Sequence, residues 1–483
     1  MAETNIGIRS FGAYIPRRRM SRAAIAEAHA WAFPALKGQA KGERSFCGWD
    51  EDVITQAVEA GRDCLVDAPS GMIESLQLAS TTAPYADLQN AALVNAALGL
   101  AESARCSDAG GSTQAGLSAL VQACIPSATQ AGRMVIAAER RMGKPASAKE
   151  MRFGCGAAAV LLGQGDDLIA RFLGAESVSI PFVDHFRQSD QKHDYGWEER
   201  WVRDEGVSKI VPDAIKRLLK RLGRSADAVA HFGFAGGPAG SAAMLAKRSG
   251  LSGDALLSDL HAEVGDTGAA HPLLMLISAL ERAEPGDLIV VASFAQGCEI
   301  AAFEMMRKPA QSPAKRGLAG SIAQRIPEAA YLKMLSFQED IQLDWGMRAE
   351  TDKKTALTEM YRSSSQVFGF LGGQCEHCGT VQFPRLPSCI NCLAVDSQKP
   401  FALADQPAQV ATYTADWLMY TPSPPLYVGL VQFDVGARVL MEMVDVGPDG
   451  IEVGTPLKMA FRIKERDRLR HFDRYFWKAT PFA

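Results

Sequence analysis

The chain has 483 residues, about three times a typical domain, so two to four domains and a large core are expected. With 47% apolar and 22% charged residues and a mean hydropathy of −0.04, a disordered tail, a membrane protein and fibrous repeats are excluded. Against 55 acidic residues stand 51 basic ones, a formal net charge of −4, which leaves no electrostatic footprint for nucleic acid.

The opening MAETNIGIRSFGAYIPRRRM places polar and charged groups where a secretory signal needs an unbroken apolar stretch. The longest apolar runs, AAAVLLG and LIVVASFA, are strand-sized and far below the roughly 20 residues of a membrane helix. A cytoplasmic protein with no membrane partner is expected. Ten cysteines in a long unsecreted chain are better divided among buried thiols, metal ligands and a nucleophile than paired in disulfides.

Strands and helices alternate to about residue 305, the pattern of an α/β domain with helix-covered sheets. The strand IGIRSFGAYIP leads to the helix DEDVITQAVEAGRDCL, the strand LQLAST, the helix ADLQNAALVNAALGL and an Ala/Gly-rich helix expected to open near Cys106. The strands RMVIAAE and AAAVLLG follow. From about residue 205 the order recurs: helix VSKIVPDAIKRLLKRLG, strand AVAHFGFA, helix AGSAAMLAKRSG, an Ala/Leu-rich helix opening at GDTGAAHP, and strand DLIVVASFA. The recurrence reads as a duplication, with residues 1–165 as one half and 166–306 as the other. The helix openings near Cys106 and Gly265 are then equivalent, and they are expected to meet at a pseudo-twofold axis.

Residues 307–370 are rich in Lys, Arg, Gln, Ser and Thr and read as a helical connector. Residues 371–400 form a cysteine cluster. Residues 401–483 alternate β-rich runs with Pro, Gly and Asp turns, which predicts a small all-β domain.

The segment CEHCGTVQFPRLPSCINC sets Cys375 and Cys378 two residues apart and repeats the pair at Cys389 and Cys392. Two CxxC knuckles brought together by a hairpin supply four thiolates for one tetrahedral structural zinc. A rubredoxin-like iron site is the minor alternative. His377 is expected at the surface, since four cysteines leave no open position.

Cys106, in SARCSDAGGSTQAGLSALVQAC, is the candidate nucleophile. A thiolate at a helix N-terminus is stabilised by unpaired N–H groups and the helix dipole. Cys47, Cys64, Cys124, Cys155 and Cys298 are expected to be inert packing thiols.

The stretches GAYIPRRRMSRAAIAEA, WDEDVITQAVEAGRDCL, the Cys106 segment, PFVDHFR and PGDLIVVASFAQG resemble the thiolase superfamily, in its 3-hydroxy-3-methylglutaryl-CoA synthase and ketoacyl synthase III branch. The C-terminal part resembles the zinc ribbon plus OB-fold domain that accompanies many thiolase-like proteins. The resemblance implies a duplicated fold of two stacked α/β halves, followed by a rubredoxin-like ribbon and an OB barrel. It also implies a homodimer, and an acyltransferase that forms or cleaves a carbon–carbon bond of an acyl thioester, carried by CoA or an acyl carrier protein, through an acyl-Cys106 intermediate.

The departures from that pattern are specific. Where the branch has a glutamate acid, Thr81 stands; where it has a histidine after a strand, Ala235 precedes Gly236, with His231 four residues earlier; its Gly-Asn pair corresponds to Gly265-Asp266. Thr81, Gly236 and Gly297 are expected around the substrate, with backbone N–H groups near Gly297 stabilising an oxyanion. His271, at the second helix opening, is expected to move protons, with a pKa lowered by the helix end, and Asp266 to orient it or cap the helix. The missing glutamate and histidine also motivate an alternative, a non-catalytic acyl-CoA-binding or scaffolding member. GCGAAA (154–159) mimics a dinucleotide fingerprint but runs into a strand. The basic run FRIKERDRLR (461–470) is expected to be solvated, with contact to CoA phosphates as its functional reading.

Overall fold

The computed structural model describes residues 5–66, 68, 73–126, 131–310, 312–350 and 356–482. They fall into two compact units. The first holds residues up to Met334 apart from two short segments; the second comprises Trp49–Glu51, Leu93–Leu100 and Leu335–Ala483.

The first unit is built on nine strands: β1 (Ile6–Tyr14), β2 (Ile73–Ala79), β3 (Arg105–Ala109), β4 (Gly132–Arg140), β5 (Cys155–Gln164), β6 (Ala170–Ser179), β7 (Val229–Ala235), β8 (Leu288–Ala295) and β9 (Gly297–Met305). They form one sheet in the order β7-β8-β9-β6-β1-β5-β4-β2-β3. The duplication is explicit in the pairing. In the first half β2 runs parallel to β4, β4 antiparallel to β5, and β5 antiparallel to β1. The second half repeats this with β7, β8, β9 and β6. The halves join through two residue pairs, Gly7 with Arg171 and Ile8 with Ala170. The edge strand β3 of the first half has as its counterpart an isolated parallel bridge from Phe232 to Leu256.

Helices cover both faces, which explains why β8 reads as an unbroken apolar run. Ile289 and Val291 face the core that contains α3 (Ala115–Ala123) and α6 (His271–Leu280), while Leu288, Val290 and Ala292 face the core that contains α4 (Ser208–Leu222) and α5 (Ser241–Ser249). Every residue of α6 is buried, as expected of a helix apolar all round. The openings of α3 and α6 do meet: a Cβ on Gly116 would stand 2.0 Å from the carbonyl oxygen of Ala269, so only glycine permits this approach. Earlier in the chain, WDEDVITQ starts α1 (Val53–Leu65) with a capping box, Asp52 accepting from the Thr55 N–H while the Thr55 hydroxyl accepts from the Asp52 N–H.

The expected helical connector is divided. Its first part belongs with the first unit and includes a short strand, Ile326–Glu328, paired parallel to Arg18–Ser21. Short helices such as Leu357–Arg362 and Ser364–Val367 lead to the ribbon in the second unit.

In that unit the ribbon strands Leu371–Cys375, Val381–Gln382 and Gln398–Ala402 precede a closed five-stranded barrel. Numbered along the chain (Ala408–Asp416, Leu426–Phe433, Arg438–Met443, Pro456–Asp467, Phe472–Pro481), its strands close in the order 1-2-3-5-4, the third and fifth being parallel, an OB-like arrangement. Phe370 and Trp477 stack in its core, and the Trp477 indole donates to the Phe368 carbonyl at 2.7 Å. The basic run is not wholly solvated: Arg462 is 2% exposed and pairs with Asp445 at 3.0 Å and Glu51 at 3.4 Å. Alternation along the strand gives the interior face to Met459, Phe461 and Ile463 and turns Arg462 to the opposite face, where Glu51 and Asp445 bury it and supply its counter-charges.

Candidate functional site

The main cavity of the first unit, about 710 Å³, lies at the C-terminal ends of the parallel strands β2 and β3, the usual ligand crevice of such sheets. Its walls are the Ser80–Ala86 loop after β2, the Asp108–Thr113 turn between β3 and α3, the Phe182–Asp194 segment after β6, and Gln296 at the β8–β9 turn. The volume is within the range of small-molecule sites.

Local chemistry fixes each wall. Asp108 accepts from the N–H groups of Asn90 and Ala91, both at 2.8 Å, and so ties the first turn of α2 (Asn90–Ala97) to the end of β3. Thr81 lines the cavity. Directly behind it is a carboxyl group that sequence reasoning missed. Glu139, fully buried at the end of β4, accepts from the Thr81 N–H at 2.6 Å, the Thr82 hydroxyl at 2.7 Å and the Thr81 hydroxyl at 3.2 Å. Burial pushes the Glu139 carboxyl above the ordinary range, against these bonds and Arg141.

The third wall is clamped from below. Arg187 donates to the Thr81 carbonyl and lies 3.3 Å from Asp194, which is also paired with Arg141 at 2.8 Å. A smaller cavity of about 160 Å³ beside it is lined by Arg140, Arg141, Arg187 and Lys192 together with Asp194. Within the main cavity, the Nδ1 of His185 lies 2.8 Å from Asp184.

The other expected site residues are placed differently. Cys106 does not open a helix: it lies within strand β3, paired with Leu76, and α3 begins nine residues later at Ala115. The intervening Gly110-Gly111, with Gly111 at φ +83°, makes a turn that separates the thiol from the helix end. Burial, then Asp108, push the Cys106 thiol above its ordinary range, the reverse of the lowering that a helix N-terminus supplies. Cys106 is not among the residues lining the cavity; it shares a strand face with Asp108, which is.

His271 does begin α6, but it is 1% exposed and both ring nitrogens are engaged. Nδ1 accepts from the Thr267 N–H at 3.2 Å, so Nε2 carries the proton and donates to the Asp259 carbonyl at 3.1 Å. No nitrogen is left to transfer a proton to the cavity. The expected lowering holds, with a different main cause: burial, then His261, bring it down to about 4. Asp266 accepts from the Gly268 N–H at 2.9 Å and pairs with Arg141 at 3.0 Å, and it caps neither the short 268–270 turn nor α6. Burial alone would raise its carboxyl, but Arg141, then His271, hold it well below the carboxylate range.

Gly236 and Gly297 do not line the main cavity. Both have positive φ and close backbone neighbours: a Cβ would come within 2.2 Å of the Phe294 carbonyl oxygen at Gly236 and 1.8 Å of the Val178 carbonyl oxygen at Gly297.

In the second unit the Sγ atoms of Cys375, Cys378, Cys389 and Cys392 all lie within 4.8 Å of one another, with Cys375–Cys392 and Cys378–Cys389 at 3.6 Å. Metal–sulfur bonds of about 2.3 Å in a tetrahedron put sulfurs about 3.8 Å apart. The donor set therefore fits one four-coordinate ion. His377, exposed, is not part of it.

Comparison with known proteins agrees with this architecture. Residues 367–396 match the ChsH2 family, a rubredoxin-like zinc ribbon domain. The hydroxymethylglutaryl-CoA synthase of Methanosarcina mazei is 29% identical over 313 residues, covering 62% of this chain and 88% of that protein. The hydroxymethylglutaryl-CoA synthase of Aeropyrum pernix is 26% identical over 365 residues, covering 74% and 97%. Among solved structures, 3-oxoacyl-(acyl carrier protein) synthase III from Pseudomonas aeruginosa superposes with a TM-score of 0.57 at 21% identity, covering 64% of this chain and all of that one. MvaS in complex with 3-hydroxy-3-methylglutaryl coenzyme A gives 0.59 at 17% identity, covering 70% and 92%. The first unit thus has a thiolase-like fold. Over 62–74% of its length the chain is similar to these hydroxymethylglutaryl-CoA synthases, and it also carries the zinc ribbon match and an OB-like barrel.

Proposed function

We propose that the first unit is an acyltransferase that forms or cleaves a carbon–carbon bond of an acyl thioester, with the main cavity as its reaction site. The observation that carries this reading is the homology to hydroxymethylglutaryl-CoA synthases, which spans 88% or more of those two proteins and coincides with the duplicated sheet and its cavity. A CoA thioester is the substrate class those names support.

Cys106 is the residue assigned to accept the acyl group. Its thiolate attacks the thioester carbonyl, the carrier thiolate leaves, and a carbon nucleophile then takes the acyl group; cleavage is the reverse. Its position two residues before the cavity-lining Asp108, on the same strand face, supports the assignment. Its raised pKa means that the thiol must lose its proton to a base before it attacks. The test is intact-mass detection of acyl adducts across a panel of acyl- and β-ketoacyl-CoAs. Cys106→Ala is expected to abolish the adduct and lower turnover by about 10³-fold or more. Undiminished turnover in that variant removes Cys106 from the mechanism. A wild-type chain that binds thioesters and never turns them over overturns the acyltransferase reading and leaves a binding module.

Zinc is the ion we assign to the four cysteines, in a structural role, on the strength of the ribbon match and the thiolate geometry. Cys375→Ser is expected to lose one metal per chain and to lower the melting temperature of the second unit. Metal-free protein of unchanged stability contradicts the assignment. Ten cysteines, none of them in a disulfide, support a reducing, cytoplasmic setting, and the thiolase-like fold supports a homodimer.

A further inference from the structure

The cavity holds one group that neither the sequence reading nor the assignment of Cys106 uses. His185 sits on the short hairpin of His185–Phe186 with Tyr195–Gly196 and lines the main cavity. Its Nδ1 is 2.8 Å from Oδ2 of Asp184. An ionised carboxylate only accepts, so Nδ1 carries the proton and Nε2 is left with its lone pair. Among the described residues Nε2 has no hydrogen-bond partner.

Asp184 is itself held from two directions. Its Oδ1 accepts from the Gln296 side-chain amide at 2.6 Å, and its backbone carbonyl accepts from the Trp197 N–H at 3.0 Å. The Gln296 backbone is also fixed, its carbonyl accepting from Ile180 at 3.3 Å, next to the Gly297 contact that excludes any side chain. A carboxylate that fixes tautomer and ring orientation, and an amide that fixes the carboxylate, make the arrangement a buttressed acid–base group. The other charged groups facing it are Asp194, which interacts with both His185 and Lys149, and Lys149, which also interacts with Asp184.

We propose that His185, oriented by Asp184 and Gln296, is the proton-transfer group of the cavity, taking a proton from the α-carbon of a bound acyl thioester and returning it. In that step the C–H bond breaks, an N–H bond forms at Nε2, and the electron pair passes to the thioester oxygen as an enolate; reprotonation restores both partners. This inference rests on the acyl-thioester reading of the same cavity. Its residues differ from those expected from sequence, since His271 and Asp266 are committed to the core.

The experiment follows proton exchange separately from carbon–carbon chemistry. The full chain is incubated with acetyl-CoA and longer acyl-CoAs in D2O, and deuterium at the α-carbon is followed by NMR while binding is measured by calorimetry. His185→Gln is expected to lower exchange by about 10²- to 10⁴-fold with the dissociation constant changed less than about threefold. Asp184→Asn, which allows the wrong tautomer, is expected to lower exchange by a smaller factor at unchanged binding. A wild-type rate of exchange in His185→Gln overturns the dyad while leaving acyl transfer intact. A wild-type chain that binds the thioester, exchanges nothing and forms no product overturns the acyl-transfer reading and the proton role together. Unfolding as a cause is excluded by equal melting temperatures of the three proteins.

Discussion

Helices α3 and α6 occupy equivalent places in the two halves, yet the chain leading into each is used in opposite ways. Ahead of α3, residues 110–113 form a turn that opens onto the 710 Å³ cavity. Ahead of α6, residues 265–270 are sealed: Asp266 pairs with Arg141, Gly268 donates to Asp266, and the first helical residue, His271, spends both nitrogens on the backbone. One helix opening of the duplicated pair faces the cavity and the other is a locked core element. Symmetric folds need not have symmetric sites, and the more suggestive histidine belongs to the locked side.

The locked side predicts the largest effect. Arg141 is 7% exposed and stands between Asp266 and Asp194, with its guanidinium over the Phe153 ring at 3.6 Å. Asp266→Ala removes one buried counter-charge and leaves the Gly268 N–H without its acceptor. Removing one member of a buried ion pair costs about 3–5 kcal/mol, so Asp266→Ala is expected to shift the urea midpoint of the first unit strongly downward. The matching change on the open side, Ser112→Ala, should leave stability within about 0.5 kcal/mol. Equal stability losses in the two variants, measured in parallel urea titrations, would break the distinction between a sealed and an open end.

Much of this was legible in the sequence, and the limits have physical reasons. Strand β8 and helix α6 announce themselves because both are buried on every side and carry almost no polar residue. The four zinc-ribbon cysteines are legible because the CxxC spacing alone forces their sulfurs together. Cys106 was misplaced because small residues between 109 and 116 read equally well as turn or helix, and only the Gly110-Gly111 turn decides where α3 begins. Glu139 and His185 were missed for another reason. Each acquires its meaning from a partner far along the chain: Thr81 lies 58 residues from Glu139, and Gln296 lies 112 residues from Asp184. No local period encodes such contacts. Arg462 is the same case in the second unit, a residue in a basic run whose counter-charges, Glu51 and Asp445, come from elsewhere.

A smaller effect sharpens the comparison from the side of acid. His271 is neutral in the folded chain, its pKa brought down to about 4 by burial and then by His261, against Asp266 and Asp259. In the unfolded chain an imidazole titrates near 6.5. Between these values the unfolded state binds more protons, so the stability contributed by neutral His271 is fully present above pH 6.5 and is lost as the pH falls toward 4. The loss amounts to about 2 kcal/mol by pH 5 and about 3 kcal/mol below pH 4. Carboxylates titrate in the same window, so the measurement is a difference: urea midpoints of wild type and His271→Gln at pH 7 and pH 5. The variant is expected to be less stable at pH 7, where it loses the two-sided bonding to Thr267 and Asp259, and to lose less on acidification. A parallel fall in both proteins would mean that His271 does not titrate as a buried neutral group, and the α6 opening would have to be regarded as accessible after all.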